Sequence, residues 1–483
     1  MRTLLQHRVV LIFAFIYVAL ACYSLWIDLA FLTLAPFGLL TLYFAVFYME
    51  WSYLLLAFLA PISVNIEEYT ESIGLFIPTE PLLFGMLILL LMQHIQKRRF
   101  ELYIWKHPIV MAVVFYLIWT FITSVTSEHP SASFKFLLAK LWFIVPVLFY
   151  GPQVFRKKER VRTFIWLLCL GMTVAILYTL IHHASYGFAE KEGHWVMWPF
   201  FKDHTIYGAA VAFVTPCIVG LYFSKKHPPL TQFILIGLFL IILIGLYFSY
   251  TRAAWLSVIA ALGVWGVIKL RIRFSILAGV TVLAASTLWI SWDQIQMELE
   301  RNKYEHTTED FGEKFRSATN VTTDASNLER LNRWACAIEM FKERPIVGFG
   351  PGTYAFEYAR FQQPDNLTII STNFGDLGNA HSEYLGPLAE MGILGMLAML
   401  LIVAAIFYKG IKLYYRWPGE DKEMRTLILT MLLAMVTYFI HGVLNNYLDT
   451  DKASIPIWGF CAALIALEHQ LPSEQSTIRD SNS

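Results

Sequence analysis

The feature that most limits the fold of this chain is a train of apolar runs, each close to the length that crosses a bilayer. They lie near residues 9–27, 30–48, 51–66, 79–95, 108–126, 134–150, 163–184, 204–223, 231–249, 252–270 and 274–292, and, after a long polar stretch, near 383–409, 425–446 and 453–469. A membrane helix needs roughly 18 to 20 mainly apolar residues. The pattern therefore predicts an all-α polytopic membrane protein with about 12 to 14 transmembrane helices. Composition agrees, since 57% of the 483 residues are hydrophobic and only 15% are charged. The first run follows Arg2, His7 and Arg8 like a signal peptide, but it lacks a small-residue cleavage site and is followed by many further runs. It reads as helix one.

A net charge of +1 conceals an uneven distribution. With the N-terminus inside, the cytoplasmic pieces collect twenty-two Lys and Arg, in clusters at 97–99, 156–162, 225–226, 269–273 and 409–425, and the short outer pieces collect six, Arg252 and Lys452 among them. Positive residues are retained on the cytoplasmic side, so this bias puts both termini in the cytoplasm. Removing any one span would spoil the alternation downstream. The chain then divides into N-terminal membrane helices (1–292), an outer helical segment (293–382), C-terminal membrane helices (383–469) and a polar tail (470–483).

In the outer segment the periodicity is helical. Leu331, Trp334, Ala335, Ile338 and Phe341 recur at three-and-four spacing, with Asn327 as the expected cap and Pro345 as the stop, which predicts a helix over 328–344 that packs this apolar face on the membrane domain. The run Gly348-Phe-Gly-Pro-Gly352 predicts a tight turn. No Lys-Ser/Thr pair follows it in P-loop spacing, and nothing else in the chain resembles a nucleotide site. Residues 362–380 read as an irregular loop over a cavity. Of five cysteines, Cys22, Cys169, Cys217 and Cys461 lie in apolar runs and only Cys336 lies in the polar segment, which makes packing residues rather than a disulfide framework.

Chemistry concentrates where the polar segment meets the next apolar run, residues 378–395. His381 precedes a membrane helix whose first amides lack intrahelical partners, with Ser382 as a good cap and Pro387 expected to delay or kink the helix. Such a helix start favours an anion. An unperturbed pKa of about 6.5 suits His381 to taking a proton from a hydroxyl, though a structural histidine fits the spacing too. Glu390 lies on the membrane helix, where a carboxylate calls for a role. Arg252 opens another membrane helix and either snorkels to lipid phosphate or meets a substrate anion. Arg330 and Arg333 are either solvated helix charges or a cationic pair for a diphosphate, with one of the two expected to face inward. His441, four residues before Asn445 on a membrane helix, suits helix-to-helix hydrogen bonding or a supporting role. His182, His183, His194 and His204 share no ligand spacing, so neither a metal nor a cofactor is expected.

Taken together these motifs resemble a known family. The stretch His381-Ser-Glu-Tyr-Leu-Gly-Pro-Leu-Ala-Glu390-Met-Gly-Ile-Leu-Gly395 resembles the His-Asn-x-x-Leu-x-x-Leu-x-Glu-x-Gly-x-x-Gly signature of the O-antigen ligase and polymerase superfamily, with Ser382 where that family commonly has Asn. Arg330, Trp334 and Pro345-x-x-Gly348-x-Gly-x-Gly352 are similar to its Arg, Trp and Pro-x-x-Gly-x-Gly pattern, and Thr251-Arg-Ala-Ala-Trp255 to its arginine motif. The resemblance implies a GT-C-like, metal-independent, inverting glycosyltransferase of the bacterial inner membrane, working on the periplasmic face. Its donor would be an undecaprenyl diphosphate-linked glycan and its acceptor lipid A-core, with no nucleotide and no nucleic acid as partners. His381 would be the base, Arg252 and Arg330 the diphosphate ligands, Arg333 their reserve, and Glu390 and His441 supporting residues. A polymerase, a protein O-oligosaccharyltransferase and a glycolipid transporter are the alternatives.

Overall fold

The computed structural model describes residues 46–66, 74–97, 101–273, 325–362 and 378–471, with a few isolated positions before 46 and between 286 and 291. The expected spans at 9–27 and 274–292, nearly all of 30–48, most of the polar segment before 325, the loop 363–377 and the tail beyond 471 lie outside the described residues.

Twelve helices carry the architecture of the described residues: α1 (Met49–Leu59), α2 (Thr79–Lys97), α3 (Pro108–Val125), α4 (Pro130–Ile144), α5 (Lys158–Ala184), α6 (His204–Ser224), α7 (Pro229–Tyr247), α8 (Arg252–Leu270), α9 (Ala325–Glu343), α10 (Leu385–Arg416), α11 (Lys422–His441) and α12 (Asp451–His469). Nine of the described helices are long and apolar enough to cross a membrane, namely α2 to α8, α10 and α11, with α4 continuing to Val154. This is an all-α polytopic membrane protein. The one sheet among the described residues is a two-residue antiparallel pair, β1 (Val64–Asn65) with β2 (Phe76–Ile77), in the register Val64 with Ile77 and Asn65 with Phe76. It corrects the expected span 51–66, whose apolar helix is shorter, Met49–Ile62, and gives way to the strand.

The bundle is organised around α12, which is buried from Asp451 to Leu467. Its small residues, Ala453, Ser454, Gly459, Cys461, Ala462, Ala463 and Ala466, let neighbouring helices approach closely without a hydrophobic driving force from water. Lys452, expected in a short outer loop, is instead enclosed within this helix. Its Nζ donates to the carbonyls of Ala60 (2.7 Å) and Ser63 (2.8 Å) and to the Ser63 hydroxyl, which is the full donor capacity of an ammonium group. Asp451 accepts the hydroxyls of Ser63 and Thr79, both at 2.5 Å, and lies 3.8 Å from Lys452. A buried ion pair is tolerated when hydrogen bonds meet its charges in this way.

The helix expected at 328–344 is α9, with two corrections. It begins at Ala325, so Asn327 is inside it rather than capping it. Its buried face is Glu329, Asn332, Arg333, Cys336, Ala337 and Met340, while Leu331, Trp334, Ala335 and Phe341 are half-buried and Ile338 is 41% exposed. The polar face turns inward because Arg333 Nε meets Glu329 one turn away at 2.8 Å, so the two charges enter the interior paired. Cys336 and Ala337 then pack with Ala380 and Ala389 in a small second core.

Candidate functional site

The segment 378–384 forms a corner between α9, α10 and α11. The helix starts later than expected, with Tyr384 at the cap position, and Ser382 holds the turn before it, its Oγ accepting the amides of Tyr384 and Leu385 at 3.3 Å each. Immediately before Ser382, His381 has a left-handed backbone (φ 46°), a conformation that costs energy outside glycine and marks functional positions when it persists. The Asn379 side chain stabilises that turn by accepting the His381 amide at 2.9 Å. Burial, and then the charges of Arg330 and Arg333, push the His381 imidazole down to about 3, with Asp203 opposing them. The ring is therefore neutral over the ordinary pH range and lies within electrostatic reach of both arginines.

The two arginines differ in what they hold. Arg333 is 7% exposed; it pairs with Glu329, donates to the Asn379 carbonyl at 3.2 Å and lies 5.1 Å over the Tyr358 ring. It fixes the loop that carries His381. Arg330, only partly buried, donates from Nε to the Leu444 carbonyl at 3.2 Å, in the turn that follows α11. The expectation that only one of them faces inward is thus replaced by two inward arginines with separate contacts, since both reach backbone of adjoining segments.

His441 ends α11, and Asn445 lies in the turn beyond it rather than on the same helix as the spacing suggests. This turn is tied to the His381 loop. The Glu383 amide donates to the Gly442 carbonyl at 2.8 Å, and one Glu383 oxygen accepts the amides of Tyr447 (2.7 Å) and Leu448 (2.8 Å) and the Tyr438 hydroxyl. Burial pushes the Glu383 carboxyl above its usual range. Tyr447 in turn meets the Thr205 hydroxyl at the start of α6. There Asp203 caps the helix, accepting the amides of Thr205 at 2.7 Å and Ile206 at 3.1 Å. Arg252 begins α8 beside this cap, because the preceding Thr251 hydroxyl donates to the His204 carbonyl at 2.8 Å.

Glu390 does not join this corner through its carboxylate. Its Oε1 accepts the Tyr354 amide at 3.0 Å, and its carbonyl accepts the Gly350 amide at 2.8 Å, so it pins the glycine turn onto α10. Gly350 (φ 118°) admits no side chain there, since a Cβ would fall 1.9 Å from Ser127 Oγ. The break in α10 falls at Gly392 (φ 67°, ψ −166°), not at Pro387 as expected, and frees the Ile393 amide to bond the Pro345 carbonyl at 3.0 Å. Of the other histidines, His182 and His183 bond backbone carbonyls, His194 stacks on His204, and His129 pairs with Glu357. Among the described residues no group of three or more His, Cys, Asp or Glu is placed to hold a metal ion.

Sequence reasoning missed Asp203 and the tying role of Glu383. Asp203 was legible as a cap directly before an apolar run. Glu383 stands two residues after His381 in the same motif, but its partners are 55 to 65 residues away, beyond any local pattern.

Fold and corner together define a multi-pass helical membrane protein with a neutral histidine set beside a buried and a half-buried arginine. Residues 237–400, about a third of the chain, match the family model described as O-antigen ligase. Over that stretch the chain is similar to the O-antigen ligase family. It is also 24% identical over 128 residues to an uncharacterized protein of Haemophilus influenzae, a match that covers 26% of this chain and 30% of that protein.

Proposed function

We propose that the chain is a membrane glycosyltransferase of the O-antigen ligase type, moving a glycan from an undecaprenyl diphosphate carrier to lipid A-core. The observation that carries the reading is His381, held neutral in a left-handed turn beside Arg330 and Arg333. A neutral imidazole has the free lone pair a general base requires. In this reading His381 takes the proton of the acceptor hydroxyl as its oxygen bonds to the anomeric carbon. The bond from that carbon to the carrier oxygen breaks, and the diphosphate leaves with the electron pair. Arg330 and Arg252 take up its charge, and attack opposite the leaving group inverts the anomeric centre without a nucleotide. Arg333, committed to Glu329 and the Asn379 carbonyl, positions the loop. The incoming diphosphate also offsets the arginine charge that keeps His381 weakly basic, so donor binding makes the base stronger. The charge distribution along the sequence supports an inner-membrane location with this corner on the periplasmic side and both termini in the cytoplasm.

The test is glycan transfer by the purified protein, given carrier-linked glycan and either lipid A-core or a second carrier-linked repeat. Transfer to lipid A-core that is lost in His381→Ala supports the ligase. Growth on the carrier makes the chain a polymerase, transfer to a protein hydroxyl makes it an O-oligosaccharyltransferase, and movement of carrier without transfer makes it a transporter.

A further inference from the structure

The turn after α11 carries buried polar groups that the proposed reaction leaves unused. His441 is 1% exposed and Asn445 is 2% exposed, yet neither His441 ring nitrogen nor Asn445 Nδ2 makes a hydrogen bond to any described residue. Asn446 Oδ1, in the same turn, is likewise unmatched among the described residues. Buried polar groups are nearly always satisfied, so several exceptions in one turn mark a place where water or a ligand completes them. The turn itself is held firmly: Arg330 Nε grips the Leu444 carbonyl, and Glu383 bonds Gly442, Tyr447 and Leu448. These side chains are thus presented on fixed backbone, next to the arginine assigned to the diphosphate.

The chemistry of the groups selects the occupant. A neutral imidazole offers one donor and one acceptor, and Asn445 Nδ2 adds donors. A diphosphate only accepts, so it would leave the imidazole acceptor unmet. A lipid tail would meet none of them. A sugar hydroxyl both donates and accepts, and a vicinal pair of hydroxyls spans two neighbouring side chains.

We infer that His441 and Asn445 form a subsite for the hydroxyl groups of the sugar joined directly to the carrier diphosphate. This rests on the reading of the corner as a carrier-linked glycan site, and it adds to that reading the recognition of the first sugar by the turn after α11. His441 and Asn445 act by binding and positioning, and His381 alone handles the proton.

The experiment compares the affinity of the purified full-length chain for undecaprenyl diphosphate and for undecaprenyl diphosphate bearing one N-acetylglucosamine. The wild type is expected to bind the sugar-bearing carrier about tenfold more tightly, the worth of one or two hydrogen bonds. His441→Phe and Asn445→Leu are expected to lose this preference while holding the bare carrier as the wild type does, and His441→Gln, which keeps a donor and an acceptor, to retain it. A preference that survives in both variants overturns the inference, as does a wild type with no preference. Equal weakening toward both carriers also overturns it, since that marks a structural role. The enzyme reading fails separately: a wild type that shows the sugar preference but transfers no glycan to any acceptor removes the reaction and leaves the subsite standing.

Discussion

Two buried polar clusters lie close together in this bundle and differ in how their charges are met. Around Lys452 and Asp451 the ammonium group makes all its hydrogen bonds within the protein. Around His381 and His441 the fold brings two arginines, an aspartate and two histidines into one electrostatic neighbourhood and leaves several of the polar atoms unmatched among the described residues. Buried charge alone therefore does not mark a site. The difference is one of degree among the described residues: Asp451 Oδ1 alone is left over in the first cluster, whereas both His441 ring nitrogens, Asn445 Nδ2 and Asn446 Oδ1 are left over in the second.

The sharpest way to break this contrast is at its two centres. His381→Ala is expected to lower transfer about 10²- to 10⁴-fold, the usual contribution of a general base, without moving the thermal midpoint. Lys452→Ala is expected to do the reverse. It leaves Asp451 buried without its cation, at a cost of about 3–5 kcal/mol, seen as a lower midpoint in detergent with normal activity per folded molecule. A stable Lys452→Ala protein with a specific loss of transfer would erase the distinction between the clusters.

A subtler difference is electrostatic. The folded His381 lies at about 3, below its ordinary 6.5, so the free protein keeps the base form down to acid pH. The acid limb of kcat/KM, which reports the free enzyme, is expected well below pH 6.5, and Arg330→Gln is expected to move it upward by removing one of the charges that depress it. For stability the sign is equally fixed. The unfolded chain takes up the proton first, so the contribution of neutral His381 is present above pH 6.5 and is lost as the pH falls toward 3. An unchanged limb in Arg330→Gln would separate the arginine from the histidine. The smallest effect is expected from Ser382→Ala, which removes the acceptor for two amides at the start of α10 and costs about 1 kcal/mol by thermal denaturation.

The sequence disclosed the spans because length and apolarity are local properties, and α2 to α8, α10 and α11 fall where those properties put them. It disclosed less about faces. The apolar stripe of α9 reads as its buried side, but in a helix that meets both a polar corner and its surroundings the Glu329–Arg333 pair can enter the interior, leaving Ile338 outside. Composition points to Pro387 as the breaker of α10, whereas Gly392 bends it, because a carbonyl from residue 346 approaches too closely for a Cβ. Motif order suggests that Arg252, Arg330 and His381 belong together, and of the two arginines Arg330 is the one whose charge acts on the His381 ring. The contribution of Asp203 and of the turn after His441 required the chain to be folded, since those contacts join segments far apart in sequence.

Arg252, Arg330 and His381 all fall within residues 237–400, the stretch that matches the family, whereas Asp203, His441 and Asn445 fall outside it. The family match thus covers the part of the chain proposed to do the chemistry, and the proposed sugar subsite at His441 and Asn445 lies beyond it. On that proposal, two proteins with the same signature are free to differ in the sugar they accept. Grafting residues 441–446 from one onto the other is then a route to exchanging their preferences while the reacting groups stay untouched.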